Sequence, residues 1–142
     1  MESPFLLRIR ETLDGKRRIS EATRSDFQAL DHLLANIAQD LQVDYDGPEV
    51  GIGTNPGLHR LRVAEHHWTG AQRGWGVAVC SYTQSNHPRS EWRLAKVSRE
   101  RLPLVVHALP RFFLGYAQVA QSQREDRASL RRLQQIAKLL QR

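Results

Sequence analysis

The sequence contains almost no sulfur. Its 142 residues include one cysteine, Cys80, and one methionine, Met1. A single thiol excludes a disulfide within the chain, so the fold does not depend on an oxidising compartment. The first residues also lack the basic segment and the long apolar core of a secretory signal. These absences predict a cytoplasmic protein.

Long apolar runs are equally scarce. Only residues 102–120 approach the length of a membrane span, about 20 residues. Arg111 lies near the middle of this stretch, and an arginine at the centre of a bilayer costs about 2.5–3.5 kcal/mol on insertion scales. Pro103 and Pro110 interrupt the same stretch. We therefore predict a helix buried inside the protein and no membrane partner.

Charge is distributed unevenly along the chain. The formal net charge is +6, yet residues 26–50 contain six acidic residues and neither lysine nor arginine. Eighteen of the 21 basic residues are arginine, whose planar guanidinium group suits paired hydrogen bonds to phosphate or carboxylate. Two interpretations stay open. The acidic segment pairs with basic surface inside the molecule or across a dimer, or the arginines form a nucleic-acid surface.

Residues 1–25 are predicted to form an N-terminal helix followed by a basic linker. Ser3 and Pro4 mark a helix start, and Gly15 marks its end. The alternative is a hairpin that turns at Gly15. The linker carries the basic triplet Lys16-Arg17-Arg18, which is a weak signal for nucleic-acid binding.

Residues 26–43 are predicted to form an acidic amphipathic helix. Ser25 and Gln28 have the spacing of a capping box at its start. Apolar residues recur at helical spacing from Phe27 onwards. We expect Asp26, Asp31 and Asp40 on the outer, solvent-facing side of this helix. Residues 47–57 follow as a loop rich in glycine and proline.

Residues 58–97 are predicted to form a three-stranded antiparallel sheet. The first two strands form a hairpin, in which Trp68 faces Trp75 and Ala64 faces Val79. In the same register Trp92 of the third strand lies beside Ser81. This arrangement collects all three tryptophans on one face of the sheet as a core.

The remaining residues complete a single α+β domain over residues 1–142. Residues 98–120 form a central helix with two apolar stripes, which predicts burial on nearly all sides. Residues 126–141 form an amphipathic C-terminal helix. The element order is therefore α-α-β-β-β-α-α. The two stripes and the heptad-like spacing of the last helix indicate a homodimer.

No catalytic residue, metal ligand or cofactor is predicted. His66 and His67 are adjacent on a strand, so their side chains point to opposite faces and cannot share a metal ion without a bulge. Cys80 lies in the middle of a strand, which indicates a buried and inert thiol. If Cys80 were reactive, His59 or His67 would be its base, with Glu65 orienting that histidine.

Cationic and aromatic side chains form the strongest candidate constellation. Aromatic rings on a sheet can stack unpaired bases while flanking arginines bind phosphates. Backbone N–H groups at the helix start near Ser98 could bind an anion as well. The predicted anion-binding residues are Arg60, Arg62, Arg73, Arg93, Arg99 and Arg101. The predicted stacking residues are Trp68, Trp75 and Trp92, although three tryptophans in a small sheet also fit a core.

These features predict a non-enzymatic intracellular binding protein. Its arginine-rich surface would bind nucleic acid or an acidic protein, and the chain would act as a homo-oligomer. Two alternatives stay open. One is a small enzyme or ligand-binding domain with a pocket between the sheet and the central helix. The other is an assembly subunit that acts only through protein–protein contacts.

Overall fold

The computed structural model describes residues 3–50, 59–67, 73–82 and 88–141. Over these residues the chain has an α+β fold with a four-stranded antiparallel sheet, so the predicted fold class is confirmed and the sheet has one strand more than predicted. The helices are α1 (Pro4–Leu13), α2 (Glu21–Leu41), α3 (Leu102–Gln123) and α4 (Ala128–Leu140). The strands are β1 (Tyr45–Glu49), β2 (His59–His67), β3 (Arg73–Tyr82) and β4 (Pro88–Arg93).

Local signals explain where the first two helices begin and end. Helix α1 starts at Pro4 and stops before Gly15, whose φ of 76° suits glycine, so a helix rather than a hairpin occupies this segment. Helix α2 starts five residues earlier than predicted. The backbone N–H of Ser20 donates to Thr23 Oγ1 at 2.9 Å, so these two residues form the capping box in place of Ser25 and Gln28.

Strand β1 includes residues 47–49, which were predicted to be part of a loop. It pairs with β2 through Tyr45 opposite Val63 and Asp46 opposite Arg62, and a register shift follows before Glu49. Pro48 lies at this irregularity on an edge strand, where a missing N–H is tolerated. The glycine and proline that indicate a loop therefore mark a bulged edge strand.

The strand register differs from the prediction by three residues in the first hairpin. Leu61 lies opposite Val79 and Val63 lies opposite Val77, so these four apolar side chains share the core face. Burial of this set explains the shift, since the predicted register would separate Leu61 and Val63 from the two valines. Residues 68–72, including Trp68, lie outside the described residues, and Trp75, its predicted partner, lies opposite Glu65.

Strand β4 is also shifted and shorter than predicted. Trp92 lies opposite Val79 rather than Ser81. The strand ends at Arg93, and a 3-10 turn over Leu94–Lys96 then buries Leu94. The chain leaves the sheet here because this turn packs against α2.

The helices cover the core face of the sheet. Helix α2 lies over β3, α3 lies over β1, and α4 packs against α3. Helix α3 starts at Leu102 rather than Ser98, whose carbonyl instead accepts bonds from the N–H groups of Arg101 and Leu102. Leu104 and Leu114 of α3 are exposed, at 38% and 43%, so α3 is not buried on all sides as predicted.

No described helix combines the length and the apolar character that crossing a bilayer requires. Helix α3 comes closest in sequence, but its exposed side carries the polar residues His107 and Arg111. Its buried side instead belongs to the protein core, where Phe112 and Tyr116 pack against Tyr45 of β1.

Candidate functional site

The arginines predicted to bind anions on the sheet already lie beside carboxylates of the same chain. Each of the four has a carboxylate oxygen within 4 Å. The pairs are Arg60–Glu49 at 3.3 Å, Arg62–Asp46 at 3.5 Å, Arg73–Glu65 at 3.8 Å and Arg93–Asp31 at 3.2 Å. Most of these atoms are partly exposed, so the pairs contribute little stability individually. The carboxylates nevertheless neutralise the positive charge that these arginines would otherwise present to an external anion.

The acidic segment supplies most of these partners. Asp26 and Asp31 of α2 are buried, at 4% exposure each, so the prediction that they face solvent is wrong. Asp26 accepts from Arg8 at 2.8 Å. Burial raises the pKa of Asp31, and the nearby Arg93 guanidinium opposes that rise. The first interpretation of the charge pattern, pairing within the molecule, therefore describes these contacts.

The described tryptophans are half-buried against the core. Trp75 packs on the core cluster opposite Glu65. The Trp92 ring has the guanidinium carbon of Arg101 at 4.5 Å from its centroid and the His59 ring stacked at 6.1 Å. The Trp92 ring therefore already has a cationic and an aromatic neighbour within the chain. Base stacking on Trp75 and Trp92 stays a prediction, and Trp68 lies outside the described residues.

A second group of cations gathers at the N-terminal end of α2. Arg24, in the first turn of α2, donates to the carbonyl of Val97 at 3.3 Å. This contact places the segment 96–101 at the N-terminal end of α2, which the triplet 16–18 precedes in the chain. The segment carries Lys96, Arg99 and Arg101. We call these two segments, residues 16–18 and 96–101, the basic end.

The triplet of the basic end differs from the sheet arginines in its surroundings. Lys16 and Arg18 are exposed and Arg17 is half-buried. In the described part of the chain, no carboxylate lies within ion-pair distance of these three side chains. Helix α3 also starts at the basic end, and no side chain of the described residues caps it. The triplet therefore gives the basic end positive charge that no described carboxylate neutralises at ion-pair distance.

A separate cluster lies on the other face of the sheet. His66 Nδ1 lies 3.0 Å from Glu91 Oε2. Cys80 Sγ lies within 4.8 Å of the potential metal-ligand atoms of both residues. His66 and Cys80 are buried at 2% and 0% exposure, while the Glu91 side chain is 25% exposed. A nitrogen, a sulfur and an oxygen ligand thus converge at one point.

Curvature of the sheet brings these three side chains together. His66 lies opposite Gly74, whereas Glu91 lies opposite Cys80. Gly74 and Cys80 are six residues apart on β3, which is about 20 Å along a straight strand. The hairpin must therefore curl over this face.

Small residues permit that curl. The concave side is lined by Ala64, Gly76 and Ala78, all buried. Glycine within a strand marks a bend or a close backbone approach. The His66 ring also reaches the carbonyl of Arg62 on its own strand, at 3.3 Å, which a straight strand would not allow.

Sequence reasoning did not find this cluster. It placed His67 on the face of Cys80, whereas the observed register places His66 there, because even-numbered residues of β2 and β3 share a face. It also found no ligand spacing near the histidines, since Glu91 and Cys80 are 25 and 14 residues away in the chain. The run of small residues in β3 was the available signal of curvature.

The space between the sheet and α3 is filled. Phe112 of α3 and Leu61 and Val63 of β2 are fully buried in one core cluster, so the pocket expected there by one alternative is not observed in the described residues. A groove of about 340 Å³ lies instead between α3 and α4, lined by residues that include Leu114, Ala117 and Gln118.

No family model, curated protein or solved structure matches this chain. Its function must therefore be argued from the chemistry of the surfaces and clusters described above.

Proposed function

We propose that this protein is a non-enzymatic binding protein that holds nucleic acid by its phosphate backbone at the basic end. The observation that carries the proposal is the contrast between two sets of cations. The sheet arginines have carboxylate partners at 3.2–3.8 Å, whereas the triplet at residues 16–18 has none in the described chain. Surplus positive charge that the fold does not neutralise is available to an external polyanion.

The helix geometry at the basic end favours phosphate as the ligand. Helices α2 and α3 both begin there, and the positive end of a helix dipole favours a nearby anion. Arg99 is exposed beside the start of α3. Contacts of this kind position a nucleic acid without reading its sequence. We therefore propose sequence-independent binding.

The proposal includes self-association and a cytoplasmic location. Leu104 and Leu114 are exposed on α3, on a helix face that also carries Arg111. A second copy packing on this face would double the number of basic ends and strengthen binding through avidity. Light scattering coupled to gel filtration measures the oligomeric state directly.

The test is a fluorescence-anisotropy titration with short single- and double-stranded DNA and RNA. We expect binding that weakens strongly between about 50 and 200 mM salt, as counterion release requires. The triple variant Lys16→Gln/Arg17→Gln/Arg18→Gln should bind at least about tenfold more weakly. For a duplex its salt slope should fall by up to about 2.7, or about 0.9 for each phosphate that the variant no longer neutralises.

A variant with the same change in net charge serves as the matched control. Arg60→Gln/Arg62→Gln/Arg73→Gln removes three arginines that have carboxylate partners, so its affinity should stay within about threefold of wild type. Equal losses in the two triple variants would mean that net charge alone drives binding, and the basic end would be rejected. Absence of binding at low salt would reject nucleic acid as the ligand.

A further inference from the structure

The contact between His66 and Glu91 requires a proton or a metal ion between its two atoms. His66 Nε2 lies 3.3 Å from the carbonyl oxygen of Arg62. A carbonyl only accepts hydrogen bonds, so Nε2 carries a proton and donates. In neutral imidazole the other nitrogen, Nδ1, then bears a lone pair. It faces Glu91 Oε2 at 3.0 Å, and a carboxylate is also an acceptor.

Cys80 supplies a third ligand atom at the same point. The three ligand atoms, from His66, Cys80 and Glu91, all lie within 4.8 Å of one another. Zinc binds sulfur at about 2.3 Å and nitrogen or oxygen at about 2.0–2.2 Å, which places tetrahedral ligands about 3.3–3.7 Å apart. Side-chain shifts of about 1 Å would bring the three atoms to that spacing.

We propose that His66 Nδ1, Cys80 Sγ and Glu91 form a binding site for a divalent metal ion of the zinc type. Thiolate, imidazole and carboxylate are the three ligand classes that zinc uses in proteins. On binding, the Cys80 thiol and the His66–Glu91 pair each release one proton to solvent, because the ion takes the place of the proton between Nδ1 and the carboxylate. A thiolate and a carboxylate then balance the 2+ charge of the ion, so the buried site is neutral overall.

The surroundings of the cluster fit such a site. The Arg62 carbonyl holds the imidazole in the tautomer that ligates through Nδ1, as outer hydrogen bonds commonly do for metal-bound histidines. The Glu91 side chain is 25% exposed, so the ion can reach the site from that side. Among the described residues only these three groups converge, and three protein ligands leave a fourth tetrahedral position for water.

Cobalt(II) titration of the metal-free full chain tests the proposal. Co²⁺ substitutes for zinc in tetrahedral sites, and a thiolate ligand adds a charge-transfer band in the near ultraviolet. We expect one equivalent of Co²⁺ to produce both the visible bands and the thiolate band. Competition against a zinc-responsive chelator dye then gives the zinc affinity.

Two variants and a control identify the ligands. Cys80→Ser should abolish the thiolate band, and Glu91→Gln should weaken zinc binding by about tenfold or more. His107→Gln, which removes an exposed histidine on α3, should bind as wild type does. Glu91 is partly exposed and glutamine has nearly its shape, so Glu91→Gln tests the site even if Cys80→Ser misfolds by circular dichroism.

The proposal is overturned by either of two results. The first is a wild-type protein that binds neither Co²⁺ nor Zn²⁺, which would leave a proton as the charge between His66 and Glu91. The second is a Glu91→Gln variant with wild-type affinity. Neither result bears on the basic end, which lies at the N-terminus of α2 and is tested with nucleic acid.

Discussion

Replacement of Gly115 by alanine tests how closely β1 packs against α3. Glycine in the middle of a helix ordinarily costs about 1 kcal/mol relative to alanine, so Gly115→Ala would stabilise an isolated helix. In this fold a Cβ at position 115 would overlap Oη of Tyr45 and lie 2.9 Å from its Cζ. The tyrosine ring must therefore move away from α3.

The expected cost follows from what holds that ring. Tyr45 stacks on Tyr116 with ring centroids 5.7 Å apart and packs on Phe112 at 5.8 Å. Overpacking of this kind costs about 1–3 kcal/mol, and each aromatic pair is worth about 0.5–1.5 kcal/mol. After subtracting the helix gain of about 1 kcal/mol from the overpacking cost, we expect Gly115→Ala to destabilise the protein by up to about 2 kcal/mol, and by more where an aromatic pair is also lost.

A double-mutant cycle separates the two terms. In a Tyr45→Ala background the new Cβ no longer meets the ring, so Gly115→Ala should become stabilising by up to about 1 kcal/mol. Urea unfolding followed by tryptophan fluorescence measures each free energy of unfolding. Gln118→Ala, on the exposed side of α3, should change it by less than about 0.5 kcal/mol. The reasoning fails if Gly115→Ala has the same sign in both backgrounds.

Two further predictions concern charge. Burial raises the pKa of Asp31, so the folded chain binds the proton of this carboxyl more tightly than the unfolded chain does. The stability that this proton contributes is present at low pH and is lost as the pH rises through the raised pKa. Asp31→Asn should therefore gain stability relative to wild type from about pH 3 to pH 7. A difference in the free energy of unfolding, measured by urea, that stays constant over this pH range would contradict the prediction. Arg124→Met removes a guanidinium that donates to the carbonyl of Leu41 at 2.8 Å at the end of α2, and should cost about 1–2 kcal/mol. Arg111→Met, an exposed site on α3, is the control and should be near neutral, so equal losses would contradict the capping role.

Local signals allowed the helices to be predicted well. Pro4 marks the start of α1 because proline fixes its own φ at a helical value, and Gly15 marks the end because glycine adopts a positive φ without strain. Helix α2 was found but its start was misplaced. Two capping signals overlap there, and nothing local shows that Ser20 rather than Ser25 leaves its backbone outside the helix.

The strands were less predictable because pairing is not local. Gly47 and Pro48 indicate a loop, and only their position on a sheet edge allows them to form a strand. The register of the first hairpin depends on which valines bury Leu61 and Val63, and this is decided by the helices on the other side of the core.

The candidate sites show the same division. Composition and charge order predicted that the acidic segment would either pair with the arginines or leave them free, and the structure pairs Asp31 with Arg93, 62 residues away. The sequence by itself determined the helices, the class of fold and the surplus of positive charge, because these depend on neighbouring residues or on totals. Only the tertiary structure decided that His66, Cys80 and Glu91 meet, because the curl that joins them arises from packing across three strands.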